Sequence, residues 1–288
     1  MESVLVLICN PATRVLSDAI VERVREAVGG GDVRWLDARL ACEFAAPADA
    51  EAKARPALEG APVDIALVPA EDRRKKLLVA DMDSTIIEQE CIDELADFAG
   101  LRVEISAVTE RAMRGELDFE TALTERVGKL AGLDEATLQT CFDTRITLTP
   151  GGRAATARMS ADDATSALVS GGFTFFTERV AAAVGFHRQQ ANILEIEAGR
   201  LTGKVVPPIL GREAKRAALL AYAEELAINT RETIAVGDGA NDLAMLEAAG
   251  LGVAFRAKPA VAEAADVRID HGDLTALLYL QGYFGVAA

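Results

Sequence analysis

The sequence predicts an α/β protein in which a Rossmann-like parallel sheet carries a helical cap insertion and is preceded by a small ferredoxin-like α+β domain. Three observations support this prediction. Short apolar runs alternate with helical patterns from residue 77 onward, which is typical of parallel strands joined by helices. A series of helical patterns without strands interrupts this alternation at about residues 88–148. The first 70 residues follow the order βαββαβ, which is typical of a ferredoxin-like sandwich.

The N-terminal domain is predicted to span residues 1–70, and a linker at residues 71–76 joins it to the core at residues 77–288. Its size lies near the lower limit for a domain that folds unaided. The linker is rich in charge, which favours a solvated connector. The predicted elements of this domain are a strand at residues 4–8, a helix at 17–28, strands at 33–36 and 40–44, a helix at 48–58 and a strand at 63–68.

The composition indicates a soluble globular protein of the cytoplasm. Lys and Arg total 30 against 45 Asp and Glu, and the formal charge of −15 opposes binding to nucleic-acid phosphates or anionic membranes. No apolar stretch reaches the length of a membrane span, and Glu2 stands where a signal peptide would carry basic residues. The 4 cysteines are far apart, which gives a disulfide framework no support and fits a reducing compartment.

The chain is organised around the apolar run at residues 77–80 and the polar residues that follow it. Such a run fits a buried central strand, and in open α/β sheets ligands bind outside the carboxyl ends of the strands. Asp81 and Asp83 are two positions apart, so in extended chain both carboxylates project to the same side. One could attack as a nucleophile or bind a hard cation while the other transfers a proton. An ordinary Asx turn gives the same pattern.

Helical patterns after Asp83 predict a cap over this crevice. Gly100 is a plausible stop for the first cap helix, and Asp118 and Asp134 are acceptable N-caps for the third and fourth. An all-helical insertion directly after an active-site strand is well placed to cover the site and exclude water. The predicted cap helices span residues 86–99, 103–113, 118–129 and 134–142.

Two further predicted strands end in residues that could bind an anion or a cation. A strand at 166–169 runs into Ser170 and Gly171, whose hydroxyl and peptide N–H groups can hold phosphate oxygens. A strand at 233–236 runs into Asp238 and Asn241, and Lys215 lies on the helix before it. Taken singly, a flexible turn and a solvated surface lysine are the favoured explanations of these residues. The other predicted elements are helices at 151–159, 177–184 and 211–226, a hairpin at 193–205, a helix ending at 249, strands at 251–255 and 267–269 and a helix at 274–283.

Parallel connections gather these strand ends in one place. Carboxylates from two strands favour Mg²⁺, which prefers oxygen ligands and takes a substrate phosphate as a further ligand. Zinc is disfavoured because the chain has only His187 and His271, and neither is near these motifs. The order and spacing of the motifs therefore predict a phosphoryl-transfer site acting on a small phosphate ester.

Together the motifs resemble those of the haloacid dehalogenase-like hydrolases. The resemblance runs from about residue 76 to the C-terminus, and the cap is most similar to that of members that hydrolyse phosphoserine. Met82 replaces a commoner phenylalanine, an apolar exchange that should not disturb the chemistry. The N-terminal region matches less well and resembles the ACT-like domain of some members. The matching residues are Asp81 to Thr85, Ser170 to Gly172, Lys215 and Gly237 to Asp242 in the core, and Glu90, Met113, Gly115, Phe119 and Arg126 in the cap.

The resemblance implies Mg²⁺-dependent hydrolysis of phosphoserine, the last step of serine biosynthesis. In this reaction Asp81 attacks phosphorus to form an aspartyl phosphate, and Asp83 protonates the leaving oxygen and later activates the hydrolytic water. The resemblance also implies that Mg²⁺ is bound by the Asp81 and Asp238 carboxylates and the Asp83 carbonyl, with Asp242 in support through water. The phosphoryl group would be bound by Lys215, Ser170, Gly171 and Asn241. Glu90 would bind the serine ammonium, and Arg126 would bind the serine carboxylate.

Other interpretations remain open at this point. A phosphatase or phosphotransferase of the same fold could act on another small phosphate ester, such as phosphohomoserine or a sugar phosphate, with a changed cap. A receiver domain also holds a phosphate with an aspartate, a hydroxyl and a lysine, but Asp83 and the helical insertion argue against it. An amino-acid sensor with a passive core is opposed by the complete catalytic set. Residues 1–70 could bind serine, form a homodimer or do neither, and charge alone would equally nominate Asp93, Glu94 or Arg114 for substrate binding.

Overall fold

Two β-sheets organise the part of the chain that the structure describes. The structure is a computed structural model that describes residues 3–113 and 116–286, without the side chains of residues 112 and 113. One sheet has 4 strands and the other has 7. Arg114, Gly115 and the side chain of Met113 lie outside the described residues, so their expected place in the cap stays a prediction.

The N-terminal sheet has the predicted βαββαβ order. Its strands pair in the spatial order β2-β3-β1-β4, and every pairing is antiparallel. Ser17 caps the first helix by accepting a hydrogen bond from the Ile20 N–H, and Gly29 ends that helix in the left-handed conformation. The elements are β1 (Ser3–Cys9), α1 (Asp18–Val28), β2 (Arg34–Asp37), β3 (Ala41–Ala46), α2 (Ala50–Ala57) and β4 (Val63–Pro69).

The second sheet confirms the predicted α/β core. Its strands are β5 (Leu77–Ala80), β6 (Thr165–Phe173), β7 (Arg188–Glu197), β8 (Arg200–Val206), β9 (Thr233–Gly237), β10 (Gly252–Phe255) and β11 (Val267–Ile269), in the spatial order β11-β10-β9-β5-β6-β7-β8. All pairings are parallel except β7 with β8, which is the predicted hairpin.

Strand β5 is central because apolar residues cover both of its faces. Leu78 and Ala80 pack into one apolar cluster, while Leu77 and Val79 pack into a second cluster on the other side of the sheet. Its neighbours are β6 and β9, so the carboxyl ends of these three strands meet at one edge.

Four helices inserted between β5 and β6 form the predicted cap. They are α3 (Cys91–Phe98), α4 (Arg102–Met113), α5 (Phe119–Lys129) and α6 (Ala136–Arg145). Asp118 caps α5 as predicted, whereas Asp134 lies one residue before the N-cap of α6 and accepts a hydrogen bond from the Ala136 N–H. The helices of the core are α7 (Gly152–Ala161), α8 (Thr174–Val184), α9 (Arg212–Glu225), α10 (Leu243–Ala248), α11 (Pro259–Ala264) and α12 (Ala276–Leu280). No described helix combines the length and the apolar character needed to cross a membrane.

The predicted helix at residues 86–99 is wrong in its first part. Residues 82–86 form a tight turn, and Ile87 pairs with Leu148 where the chain returns from the cap. The Glu88 N–H donates to the Thr147 carbonyl, so the two segments that join cap and core run side by side. This pairing between distant residues overrides the local helical pattern until α3 begins.

Other boundaries also differ from the prediction. Strand β6 continues through Ser170 and Gly171 to Phe173, and α8 follows it without a loop. Helix α12 ends earlier than predicted, and α11 was not predicted.

The expectation of a solvated linker at residues 71–76 is wrong at Arg73. This side chain is buried, and its guanidinium donates hydrogen bonds to the Glu43 carboxylate and to the carbonyls of Tyr279 and Leu280. Arg73 therefore connects strand β3 of the N-terminal sheet with the last helix of the core. Such a partner set satisfies a buried cation.

Candidate active site

The predicted site residues meet in a cleft between the core sheet and the cap. Its volume is about 720 Å³, and it opens at the carboxyl ends of β5, β6 and β9. Of the residues predicted from the sequence, Lys215 and Asp242 are buried and do not line the cleft. The others line the cleft directly, namely Asp81, Asp83, Glu90, Arg126, Ser170, Gly171, Asp238 and Asn241.

Lys215 forms a buried ion pair with each of two aspartates. Its Nζ atom lies 2.7 Å from Oδ1 of Asp81 and 2.7 Å from Oδ1 of Asp242. Burial acts to lower the pKa of Lys215, but the carboxylates of Asp242 and Asp81 raise it overall, so the ammonium stays charged. Burial and then Asp242 raise the pKa of Asp81 well above its usual range, and Lys215 opposes this rise. Lys215 thus opposes the protonation of Asp81 that burial and Asp242 favour.

Asp83 is held by groups from the cap and from strand β6. Its Oδ1 accepts a hydrogen bond of 2.8 Å from the Cys91 N–H, and its Oδ2 accepts one of 3.3 Å from the Ser170 hydroxyl. A Cβ at Gly172 would lie 2.7 Å from Oδ2, so only glycine lets the backbone approach this carboxylate. Burial raises the pKa of Asp83, which suits a group that donates and later accepts a proton.

The glycines around Asp238 bring the backbone close to two polar side chains. A Cβ at Gly237 would lie 2.4 Å from Cγ of Asp242, and a Cβ at Gly239 would lie 2.4 Å from Oδ1 of Asn241. The Gly239 N–H donates to Oδ2 of Asp242 at 3.0 Å, which fixes that carboxylate below the cleft. Asp238 faces the cleft, and burial followed by the charge of Asp242 raises its pKa to about 6.

Three carboxylates at this edge suit a divalent cation. Asp81, Asp238 and Asp242 each offer an oxygen atom, and these atoms lie within 4.8 Å of one another. Lys215 neutralises one of the three charges, so a negative excess remains in a buried place. All the donors are oxygens, which hard cations prefer. Asp242 belongs to this cluster directly, whereas the family resemblance implies only a supporting role for it through water.

The cap contributes one acid and one base. Glu90 is the N-cap of α3, and its Oε1 accepts a hydrogen bond of 2.8 Å from the Ser84 hydroxyl. Glu90 lines the cleft and is exposed to solvent. Burial, followed by the charge of Asp83, raises the pKa of Glu90 to about 7. Arg126 on α5 is half-buried, its Nε donates to the Ala122 carbonyl, and it forms no ion pair with a described residue.

Two cations that line the cleft had no signal in the sequence. Arg212 and Lys258 are exposed cations on the cleft rim, and no pattern separates them from other surface cations. The Phe119 ring packs against the backbone of Gly171, since a Cβ at Gly171 would lie 2.9 Å from the Phe119 Cζ atom. Further residues on the cap side are Ile92, Asp93, Thr109, Leu117 and Leu123.

The parallel core, the acidic strand ends and the helical cap define a class of hydrolase with a Rossmann-like core and a helical cap insertion. A family profile described as haloacid dehalogenase-like hydrolase matches residues 78–247. The chain belongs to this family.

Curated relatives and solved structures extend the similarity over almost the whole chain. The phosphoserine phosphatase of Polaromonas sp. is 46% identical over 212 residues, which cover 71% of this chain and 89% of the relative. That of Streptomyces coelicolor is 41% identical over 289 residues, covering 97% of this chain and 70% of the relative. The unliganded probable phosphoserine phosphatase from Vibrio cholerae superposes with a TM-score of 0.83 at 34% identity, covering 99% of this chain and 88% of that structure.

Proposed function

We propose that this protein hydrolyses O-phospho-L-serine to L-serine and phosphate, the last step of serine biosynthesis. The observation that carries the proposal is a single cleft that joins Asp81 and Asp83 of the core, with Lys215 paired to Asp81, to Glu90 and Arg126 of the cap. The core set suits phosphoryl transfer, and the cap pair suits the two charges of an amino acid. The phosphoserine phosphatases similar to this chain support the same substrate.

The reaction begins with attack of Asp81 on phosphorus. The Asp81 carboxylate forms the aspartyl phosphate, while Asp83 gives its proton to the departing serine oxygen. Asp83 then takes a proton from the water that cleaves the intermediate and returns to its starting state. The raised pKa of Asp83 supports this double role, because a carboxyl group with an ordinary pKa would rarely hold the proton.

Mg²⁺ would be held by the carboxylates of Asp81 and Asp238 and the carbonyl of Asp83, with Asp242 in support. When bound, it supplies positive charge that lets one anion approach another. The oxygen-only donor set and the negative excess of the cluster support this choice of ion.

The phosphoryl oxygens are held by groups around the end of β6 and the loop after β9. The Ser170 hydroxyl, the Gly171 N–H and the Asn241 amide provide neutral donors, and the Lys215 ammonium provides charge. Such donors stabilise the charge that spreads over the phosphoryl oxygens in the transition state. Lining of the cleft by Ser170, Gly171 and Asn241 supports this assignment.

The cap recognises the amino-acid part of the substrate. The Glu90 carboxylate accepts the ammonium, and the Arg126 guanidinium binds the carboxylate through two parallel hydrogen bonds. Arg126 has no carboxylate partner among the described residues, so its charge is available to a ligand. Both side chains line the same cleft as the core carboxylates.

We also propose a cytoplasmic location and a division into an ACT-like domain at residues 1–70, a linker at 71–76 and a phosphatase core at 77–288 with a cap at about 88–148. Buried free thiols at Cys9, Cys42, Cys91 and Cys141 support a reducing compartment. The two separate sheets support the division. The role of residues 1–70 stays open between serine binding, formation of a homodimer and neither.

Phosphate release from a panel of esters tests the proposed function. We expect phosphoserine to be hydrolysed fastest, ahead of phosphohomoserine and sugar phosphates. Exhaustive chelation should stop the reaction and Mg²⁺ should restore it.

Asp81→Asn should lower turnover by about a thousandfold or more, because an amide of similar size is a poor nucleophile. Circular dichroism must show that the variant is folded. Normal turnover in a folded Asp81→Asn variant would remove Asp81 from its role.

A further inference from the structure

A hydroxyl of the core connects the turn after β5 to the first residue of the cap. The Ser84 Oγ donates to Oε1 of Glu90 at 2.8 Å. Glu90 is the N-cap of α3, but its side chain makes no capping bond to that helix. Among the described residues, Ser84 is the hydrogen-bond partner of the Glu90 carboxylate. The helix therefore does not fix the direction of this carboxylate, whereas Ser84 does.

The backbone of Ser84 adopts a conformation that costs energy for any residue other than glycine. Its φ is 54° and its ψ is 5°, in the left-handed region. The Ser84 N–H donates to the Gln89 carbonyl at 3.1 Å, and the Gln89 side chain accepts a hydrogen bond of 2.8 Å from the Thr147 N–H. These bonds close the segment between the catalytic turn and the cap. The closed segment places Glu90 within reach of Ser84.

Charges around Glu90 would otherwise move its carboxylate away from the core. The carboxylates of Asp83 and Asp238 repel it, while the cations of Lys258 and Arg126 attract it. The side chain of Glu90 also keeps contact with solvent, so it has room to turn outward. A hydrogen bond to a charged group is strong enough to hold one rotamer against such competition.

We infer that Ser84 is a positioning residue that acts through Glu90 and thereby sets the preference for phosphate esters that carry an ammonium group. This inference rests on the proposed function, in which Glu90 receives the serine ammonium. The Ser84 hydroxyl holds the Glu90 carboxylate over the catalytic carboxylates before substrate arrives. Esters without an ammonium make no use of this arrangement.

Two single variants separate the hydroxyl from the backbone strain. Ser84→Ala removes the hydroxyl and keeps the strained φ, whereas Ser84→Gly removes the hydroxyl and relieves the strain. We expect both variants to raise KM for phosphoserine about tenfold, the loss of one charge-assisted hydrogen bond, with kcat changed by less than about threefold. Their kcat/KM for 4-nitrophenyl phosphate should stay within about threefold of the wild-type value, since this ester has no ammonium.

A double-mutant cycle with Glu90→Gln tests whether Ser84 acts through Glu90. Adding Ser84→Ala to Glu90→Gln should cause no further rise in KM for phosphoserine. An additive effect would overturn the inference, and so would equal losses on both esters or unchanged KM in the single variants. Thermal unfolding of each variant verifies its fold, and Ser84→Gly keeps the test valid if Ser84→Ala is unstable. If the wild-type protein hydrolyses neither ester, the proposed function fails instead.

Discussion

Arg126 and Glu90 are the residues on which the choice of substrate depends in the proposed complex. The chemistry at phosphorus uses core residues that any phosphate monoester would meet. The amino-acid part meets only the cap. Variants of the cap pair should therefore change the preference among esters and leave the phosphoryl chemistry in place.

Arg126→Ala should reduce hydrolysis of phosphoserine far more than hydrolysis of an aryl phosphate. Truncation leaves the substrate carboxylate unpaired in a partly desolvated cleft, and we expect a loss of about 2–5 kcal/mol in kcat/KM for phosphoserine. For the aryl ester the loss should stay below about 1.4 kcal/mol, or tenfold. Steady-state kinetics on both esters measures the difference. Equal losses would mean that Arg126 supports the cap or the phosphoryl group instead.

The preference for phosphoserine should also depend on pH through Glu90. Burial and then the Asp83 carboxylate raise the pKa of Glu90 to about 7. As the pH falls through this value, Glu90 takes up a proton and loses its attraction for the ammonium. The ratio of kcat/KM for phosphoserine to that for an aryl phosphate should therefore fall toward acid pH. Parallel measurements on both esters identify pH effects that come from groups other than the ammonium.

Glu90→Gln provides the control for this pH dependence, because glutamine keeps the shape and has no proton to gain. Its ratio should be low and should not change across the same pH range. A wild-type ratio that stays flat between pH 6 and 8 would show that Glu90 does not meet the ammonium, on the expectation that a transition spans about two pH units.

The residues at the strand ends were predictable because apolar runs lead directly into them. Asp81, Ser170 and Asp238 each follow a β-type run, and parallel strands bring such ends together. The burial of Lys215 was not predictable from its own position, since most helical lysines are exposed. The Ser84 to Glu90 bond also had no pattern, because it depends on a strained turn that the local sequence does not specify.

At the scale of elements, the hairpin of β7 and β8 binds the cap through its backbone. The Gly132 N–H donates to the Leu201 carbonyl at 2.8 Å, and the Leu201 N–H donates to the Leu133 carbonyl at 2.9 Å. The hairpin itself was predicted from two β-type runs around a glycine turn. Its contact with the loop between α5 and α6 was not, because backbone contacts between residues far apart leave no periodic pattern.

Gly203→Ala should weaken this attachment of the cap. Gly203 has a φ of +83°, and an added Cβ would lie 2.8 Å from the Ala131 Cβ and 3.1 Å from the Gly128 carbonyl oxygen. Backbone strain and overpacking together should lower the free energy of unfolding by about 2–4 kcal/mol. Denaturant unfolding measures the change.

Gly199→Ala is the matched control in the same hairpin. Gly199 has a φ of +74°, but an added Cβ would meet nothing within 4 Å. This variant should lose only the backbone contribution, about 1 kcal/mol. Equal losses in the two variants would show that backbone strain alone matters and that the hairpin and the cap accommodate the added methyl group at residue 203.

At the scale of the whole molecule, the N-terminal sheet is fixed to the C-terminal part of the core. The buried carboxylate of Asp64 on β4 accepts hydrogen bonds from the N–H groups of Asp270, His271 and Gly272, with distances from 2.7 to 3.2 Å. Asn10 donates to the His271 carbonyl at 2.9 Å in the same region. The division into domains that the sequence suggests therefore coexists with a polar junction that the sequence did not predict.

The N-terminal sheet also connects to the cap side of the core through this junction. The Leu274 N–H, shortly after the residues that bind Asp64, donates to the Pro150 carbonyl at 3.0 Å. Pro150 follows the segment in which the chain returns from the cap. The loop that Asp64 holds thus lies against the base of the cap. The N-terminal domain supports the position of this loop. Removal of the domain should therefore lower the stability of the core.

Asp64→Ala should destabilise the whole protein because three N–H groups, that of Gly272 buried and those of Asp270 and His271 partly buried, would lose their acceptor at once. We expect the free energy of unfolding to fall by about 2–5 kcal/mol, the range for unpaired buried donors after loss of a charged partner. Asp49→Ala is the control, because Asp49 is exposed and its ion pair with Lys53 lies on the surface, where the expected change is below about 1 kcal/mol. Denaturant unfolding followed by circular dichroism, with phosphate release assayed in parallel, measures both variants.

If the N-terminal sheet and the core unfold together, Asp64→Ala should shift one transition that includes loss of activity. A separate early transition that leaves phosphate release unchanged would instead show that the core keeps its active form without the junction.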